Sequence, residues 1–350
     1  MPNIMLTEVC NLRCPYCFAN EFVNKNPNHI TLENFKKALD FIATDPNNRV
    51  VGLIGGEPTI HPQFKEILKT IIEDPRFDRA TVYTNGIAVD KYWNELSHRK
   101  FGFLINCNSP KDIGQANFDK MVKNIDEMIF DKYMGERVSL GINIYKPDFD
   151  FGYILDLLKK YKMNHLRFSI TVPNMDEQRN KNALRYFDKF KEPMKRFFKV
   201  MLESGIVPHY DCNKMPSCMV DEEDIIEFKK YFSAPGDNQM LPPPMDNAIN
   251  SDIVHCSPVV DICHDLTAIR CFGLSEYTKV KISDFAGFAD LRNYYINTID
   301  AFACNTACDQ GCADCYRRKT LKCFGGCLAF KIDDIMHMQK EGLELIKAKR

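Results

Sequence analysis

Three thiols lie within eight residues near the start of the chain, in Cys10-Asn-Leu-Arg-Cys14-Pro-Tyr-Cys17. Thiolates are soft ligands suited to zinc or iron–sulfur centres, and iron–sulfur clusters are held by cysteines in short loops of this kind. A cube of four irons has four corners to ligate, so three local thiolates leave one iron open to another ligand. A structural zinc site would want a fourth Cys or His nearby, and the paired C-x2-C spacing is absent here. A disulfide framework suits small secreted domains, whereas 350 residues hold enough apolar sequence for a core without covalent staples.

A second group is Gly55-Gly56-Glu57-Pro58-Thr59. Its glycines permit unusual dihedrals and close backbone approach, and Glu57 places an acceptor where a ligand's ammonium would sit. An ordinary Gly-Pro turn would read the same way in isolation. The third group is C-terminal: Cys256, Cys263 and Cys271, then Cys304-x3-Cys308-x3-Cys312-x2-Cys315-x7-Cys323-x3-Cys327. Setting Cys263 aside leaves eight thiols, enough for two fully ligated four-thiolate clusters. Two zinc sites, or one cluster with spare thiols, satisfy the same count. Cys212 and Cys218 are too isolated to assign, and Cys107 reads as a small buried hydrophobe.

The elements that must position these groups alternate. Ile4 to Val9 reads as a strand running into the cysteine loop. Thr31 then caps a helix with Leu32, Phe35, Leu39 and Ile42 at helical spacing. Strand 49–54 leads into the Gly-Gly-Glu-Pro turn and a helix bearing Phe64, Ile67, Leu68, Ile71 and Ile72. Strand 80–83 ends in Thr84-Asn85-Gly86, a helix follows near 90–97, and strand 102–107 ends at Asn106-Cys107-Asn108. A helix around Phe118 to Ile129, strand 138–145, a helix around 151–161, strand 165–172 and one long helix from Phe187 to Met201 complete the series. Alternation of this kind implies a parallel sheet, and six units are too few for a closed eight-stranded barrel. The expected fold class is α/β: a partial (β/α)6 TIM-like barrel followed by a small cysteine-rich auxiliary cluster domain. Function should collect where the cysteine loop and the three turns share the carboxyl ends of the strands. Domain limits are expected at 1–211 for the barrel, 212–250 for a linker marked by Leu241-Pro-Pro-Pro-Met245, 251–331 for the auxiliary domain, which opens with a hairpin at 259–262 and 267–272, and 332–350 for a final helix.

Composition excludes several classes. A net charge of −1 gives no sign of a nucleic-acid partner. No apolar run reaches the ~18 residues needed to span a bilayer, and the first residues lack a signal peptide's basic and apolar regions. Without either, the expectation is a cytoplasmic protein, in which fifteen cysteines point to metal more than to disulfides.

Cys10-x3-Cys14-x2-Cys17, with Tyr16 before the last cysteine and Gly55-Gly56-Glu57-Pro58 after the second strand, resembles the radical S-adenosylmethionine (SAM) superfamily. The resemblance covers roughly residues 1–205. It implies an enzyme whose Cys10, Cys14 and Cys17 hold a [4Fe-4S] cluster, with SAM on the open iron. One electron then cleaves SAM to methionine and a 5′-deoxyadenosyl radical, which takes hydrogen from a substrate. It further implies that Gly55, Gly56 and Glu57, beside Pro58, hold the methionine ammonium, that the Tyr16 backbone meets the adenine, and that Asn106 or Asn108 and Asn143 contact ribose or carboxylate. Arg167 is a further candidate for such a contact.

The C-terminal segment resembles the SPASM type of auxiliary domain. That resemblance implies two auxiliary [4Fe-4S] clusters on Cys256, Cys271, Cys304, Cys308, Cys312, Cys315, Cys323 and Cys327. Three departures stand out: Leu266 where the hairpin usually has glycine, seven residues between Cys315 and Cys323, and no cysteine after Cys327. The implied activity is modification of a peptide or protein side chain, with a small biosynthetic molecule as the alternative substrate and a non-catalytic iron–sulfur or zinc protein as a third reading. The expected electron donor is a flavodoxin or ferredoxin. The sequence shows no module for gripping a leader peptide ahead of the first strand, so such recognition would fall to another protein or the barrel rim. Asp211 and Asp261 are the acid/base candidates, with surface or turn roles as the plainer reading of each.

Overall fold

The computed structural model describes residues 1–17, 19, 23–171, 183–213, 223, 258–274, 279–301, 310–319, 327–332, 334, 336, 337 and 340. Among expected features, Cys218, Cys256, Cys304, Cys308 and Cys323, the Pro-rich stretch of 212–250 and most of the final helix lie outside them. The chain falls into two compact units, one of residues 1–141 and 258–295, the other of 142–257 and 296–350.

In the first unit, strands β1 (Asn3–Thr7), β2 (Val50–Gly55), β3 (Arg79–Thr84), β4 (Phe101–Asn106) and the start of β5 (Val138–Ile144) pair in parallel in that order. This is the α/β class the alternation implies, with the parallel strands that a partial TIM-like barrel requires. Helix Leu32–Ile42 is capped as expected, since Thr31 accepts from the Asn34 N–H, and it buries Phe35, Ala38, Leu39 and Ile42. Helix Phe64–Glu73 buries Phe64, Ile67, Leu68 and Ile71. Each of the larger side chains contributes about 1.5–3 kcal/mol by leaving water, which fixes these helices to the sheet far more firmly than helix propensity would.

The expected C-terminal hairpin forms, as β8 (Asp261–Ile262) and β9 (Thr267–Ile269), with β10 (Val280–Lys281) beyond it. It extends the same sheet: β8 pairs in parallel with β1, with Asn3 opposite Asp261 and Ile4 opposite Ile262. The order is therefore β10-β9-β8-β1-β2-β3-β4-β5. Cys263 is buried here against Met5, Ile54 and Ile269, which identifies it as a packing residue. Val260, just before β8, and Leu266, just before β9, have φ of 62° and 61°.

The second unit holds β6 (His165–Ile170), paired in parallel with β7 (Val207–Cys212). The sequence pattern foresees β6 and misses β7. Pro208 lacks the N–H of a ladder donor, and β7 tolerates it because it is the last strand of its sheet. The single long helix expected from Phe187 to Met201 is two helices, Ala183–Asp188 and Lys191–Glu203. Pro193 is the reason: in a continuous helix its ring would clash with the Lys189 carbonyl, whereas in the first turn of a new helix it fits. Phe197 and Phe198 of the second helix pack on Phe168 of β6. Among the described residues no helix is long and apolar enough to cross a membrane.

Candidate functional site

At the end of β1 the pairing with β2 slips between Met5 and Thr7, and the chain turns out of the sheet into the cysteine loop. The neighbouring Gly-Gly-Glu-Pro turn is laid directly on this exit. The Gly56 N–H donates to the Thr7 carbonyl (2.7 Å) and the Glu57 N–H to that of Val9 (2.8 Å). A Cβ on Gly55 would lie 2.4 Å from the Thr7 oxygen, and one on Gly56 2.3 Å from the Val9 oxygen. The close approach that the glycines permit is thus made, at least in part, by the chain's own backbone. Pro58 opens the one-turn helix Pro58–Ile60, its missing N–H harmless at that position.

Glu57 is 1% exposed. One carboxylate oxygen accepts from the Thr59 N–H (3.1 Å), the Thr59 hydroxyl (2.6 Å) and the Thr84 hydroxyl (2.7 Å); the other accepts from the Asn85 N–H (2.7 Å). Burial pushes its carboxyl up, and these hydrogen bonds oppose the shift. Glu57 therefore joins the turns after β2 and β3. Its first oxygen is saturated, and the second has one lone pair left for a ligand.

Cys10, Cys14 and Cys17 are half-buried and form no disulfide. Burial pushes Cys10 up to about 11, with the Leu12 N–H opposing and the Glu57 and Cys17 charges adding to it. It pushes Cys14 up to about 12, with Cys10 and Cys17 adding to it and the Tyr16 side chain opposing by hydrogen bonding to it. Cys17 is raised by burial as well. At neutral pH the bare loop thus keeps its protons, and binding a cationic centre must displace them. The donor set fits such a centre: three soft ligands on one short loop, with the Leu12 N–H donating to the Cys10 sulfur at 3.4 Å. Among the described residues no three His, Cys, Asp or Glu side chains converge on one point as ligands of a single ion would. Ligands to separate corners of a cube need no such convergence.

The other expected contacts are dispersed. Asn106 closes β4 and Asn108 is buried two residues on, its N–H donating to the Asn106 carbonyl at 3.1 Å. Between them Cys107 is 1% exposed, its thiol facing the Ile105 carbonyl at 3.6 Å and pushed up to about 12 by burial. Asn143 lies on the part of β5 that belongs to the second unit. In that unit Arg167 is ion-paired with Asp211, joining two separately chosen candidates. Asp261 is fully buried beside Asn3, whose amide donates to it at 2.7 Å. That register places it at the start of β1, the opposite end of the strand from the cysteines, so it is a structural group of the sheet.

Of the C-terminal thiols, Cys271 is half-buried in the first unit, with the Arg270 guanidinium 3.9 Å from its sulfur. Cys312 and Cys315 share a tight turn in the second, the Cys315 N–H donating to the Cys312 carbonyl at 3.3 Å, and Cys327 is buried at the head of Leu328–Phe330. Sequence reasoning missed the asparagines around the loop. Asn24, at φ 62°, accepts from the Cys10 N–H at 2.9 Å, and the Asn85 amide donates to the Asn11 side chain at 2.7 Å. Thr84-Asn85-Gly86 signalled a turn, but nothing in its spacing pointed at Asn11.

A cysteine loop at the carboxyl end of the first parallel strand, seated on a Gly-Gly-Glu-Pro turn, defines an α/β scaffold for an iron–sulfur centre. Residues 4–129 match the model of the radical SAM superfamily. Its curated relatives include the GTP 3′,8-cyclase of Pasteurella multocida (strain Pm70), 24% identical over 213 residues, which are 59% of this chain and 55% of the relative. The GTP 3′,8-cyclase of Clostridium perfringens (strain SM101 / Type A) is 29% identical over 181 residues, covering 49% of this chain and 54% of that one. The chain thus spans about half the length of these two relatives. Among solved structures, Streptococcus suis SuiB bound to S-adenosylmethionine aligns with a TM-score of 0.58 at 15% identity, over 95% of this chain and 73% of that one. SuiB bound to its precursor peptide SuiA aligns with a TM-score of 0.59 at 14% identity, over 95% and 72%. These likenesses show a shared fold.

Proposed function

We propose that this protein is a radical SAM enzyme that takes hydrogen from a peptide or protein side chain. The observation that carries the reading is the seating of the three-thiol loop on Gly55-Gly56-Glu57 at the carboxyl ends of β1 and β2. When bound, the cluster supplies the electron that cleaves SAM to methionine and a 5′-deoxyadenosyl radical. The chain's own part is to hold and orient. Cys10, Cys14 and Cys17 give up their protons as they ligate. Gly55, Gly56 and the free lone pair of Glu57 border the methionine ammonium, the Tyr16 backbone meets the adenine, and Asn106, Asn108 and Asn143 are the ribose or carboxylate contacts. Cys256, Cys271, Cys304, Cys308, Cys312, Cys315, Cys323 and Cys327 hold two auxiliary [4Fe-4S] clusters in a SPASM-like segment. A flavodoxin- or ferredoxin-type protein supplies electrons.

The fold shared with a peptide-bound enzyme along nearly the whole chain favours a peptide substrate. The cyclase relatives favour a second reading, a small molecule such as a nucleotide, over about half of it. Anaerobic reconstitution followed by iron and sulfide analysis tests the clusters, with roughly twelve irons expected for three cubes and four for the N-terminal one alone. With a strong reductant the enzyme should form 5′-deoxyadenosine, and Cys14→Ala should abolish it; continued cleavage in that variant overturns the site. Deuterium transfer into 5′-deoxyadenosine from a labelled peptide, set against labelled GTP, separates the two substrates.

A further inference from the structure

The loop that presents the three thiols makes few bonds of its own. Its internal ties include the Cys17 N–H to the Cys14 carbonyl (3.1 Å), the Leu12 N–H to the Cys10 sulfur, the Cys10 thiol to the Asn11 side-chain oxygen (3.9 Å), the Tyr16 side chain to Cys14, and the Arg13 guanidinium folding back on the Cys10 and Leu12 carbonyls. Two asparagines from outside supply the rest. Asn24 takes the Cys10 N–H, and its own N–H donates to the Glu8 carbonyl at 2.7 Å. Asn85 reaches Asn11, the residue directly after the first thiol, across 74 positions of sequence.

Asn85 is built for this contact. It is 7% exposed, and every polar group for which a bond is found serves one purpose. Its N–H is held by Glu57, its side-chain oxygen accepts from the Ile87 N–H at 3.1 Å, and this leaves only the amide NH2 facing Asn11. The acceptor role of the oxygen fixes which end of the amide meets Asn11. Asn11 is itself an exposed residue, and its side-chain oxygen is held between the Asn85 amide (2.7 Å) and the Cys10 thiol (3.9 Å), which links the brace directly to the first thiol.

We propose that Asn85 is a positioning residue for the cluster: through Asn11 it locks the first thiol of the loop to the Glu57-braced turn after β3. On this account the Glu57 carboxylate, besides its free lone pair, acts through Asn85 and the two threonines. The turn after β3 thereby belongs to the machinery of the site. Groups that orient metal ligands from outside the coordination sphere typically change metal retention by 10–100-fold when removed. The inference rests on reading residues 10–17 as the cluster loop.

The test is iron release from the anaerobically reconstituted full-length chain to an added chelator, followed as a first-order rate beside the melting temperature. Asn11→Leu removes the acceptor and should speed release about tenfold, with only the modest fall in melting temperature expected from leaving the Asn85 amide without its partner. Asn11→Asp keeps the acceptor and should stay within about twofold of the parent. In an Asn85→Ala background, Asn11→Leu should add nothing further, because the bond is already gone. Release at the parent rate in Asn11→Leu, equal acceleration by Asn11→Asp, or an undiminished Asn11→Leu effect in the Asn85→Ala background overturns the proposal while leaving the cluster loop intact. A parent chain that takes up neither iron nor sulfide overturns the cluster reading, and the proposal with it.

Discussion

The cysteine loop and the β8–β9 hairpin both adjoin β1, one at its end and one along its edge, and they are held by different means. Beside the loop, the residue in left-handed backbone is Asn24, a type that tolerates φ of 62° and repays it by taking the Cys10 N–H. The hairpin places Val260 and Leu266 in the same region, where their side chains are strained by about 1–2 kcal/mol each. Asp265 accepts from the Thr267 N–H (3.1 Å) and hydroxyl (2.5 Å) across Leu266, and backbone pairing supplies the rest: the Asn3 N–H donates to Val260, Val260 to Arg270, and Ile282 to Leu266. Polar side chains fix the loop, so it is sensitive to substitution. The hairpin is fixed mainly by its ladder and by what it buries, with Asn3–Asp261 and Asp265–Thr267 adding side-chain bonds.

The largest expected effect belongs to the hairpin. Burial pushes Asp261 up from 3.8 to about 7, with the Asn3 amide and the Phe272 N–H opposing. The folded chain therefore holds this proton more tightly than the unfolded one. The stability so gained is complete below about pH 4 and is lost as pH rises through about 7, a change on the order of 4 kcal/mol. Protonation also gives Asp261 a donor, and the buried Asn3 oxygen otherwise lacks one. Urea midpoints measured between pH 5 and 8 should fall in the parent, and Asp261→Asn should flatten the trend. An equally steep trend in that variant would assign the pH dependence elsewhere.

Next comes the loop's brace. Glu57→Ala leaves the Thr59 and Asn85 N–H groups buried without an acceptor, which costs about 3 kcal/mol and should lower the urea midpoint at constant slope. Gly56→Ala drives a methyl against the Val9 carbonyl, which is backbone and can yield only by moving the loop exit. About 2 kcal/mol is expected, together with lower iron content after reconstitution. If Gly56→Ala matches the parent in both, the seating of the turn on the loop is looser than the hydrogen bonds imply.

What the sequence made legible was local. The thiol spacing, the Gly-Gly-Glu-Pro turn and the strand–helix alternation each lie within a few residues of chain, and the fold keeps them as read. Contacts set by sheet register were invisible: Asn85 with Asn11, and Asp261 with Asn3 across 258 positions. Asp261 shows the consequence, since a carboxylate near three cysteines in sequence lies at the far end of β1. Prolines misled in two directions, hiding β7 behind Pro208 and concealing the helix break at Pro193. Cys263, set aside from the metal candidates in sequence, is core: just past β8 it packs on Met5, Ile54 and Ile269.

The smallest effect sharpens the contrast between the two regions. Leu266 stands at φ 61°, where the resembling hairpins carry glycine, and its N–H and carbonyl are both bonded, to Cys263 and Ile282. Those bonds prevent the backbone from relaxing to a conformation that leucine prefers. Leu266→Gly would remove the Cβ clash at some entropic cost in the unfolded chain, and since Leu266 is only half-buried it sacrifices little apolar contact. The net gain should be about 1 kcal/mol, read as a raised urea midpoint at unchanged slope. Asn24→Gly is the matched control: it relieves a similar dihedral but removes the acceptor of the Cys10 N–H, so stability should fall. A gain in both variants would mean that the loop, like the hairpin, is held mainly by backbone.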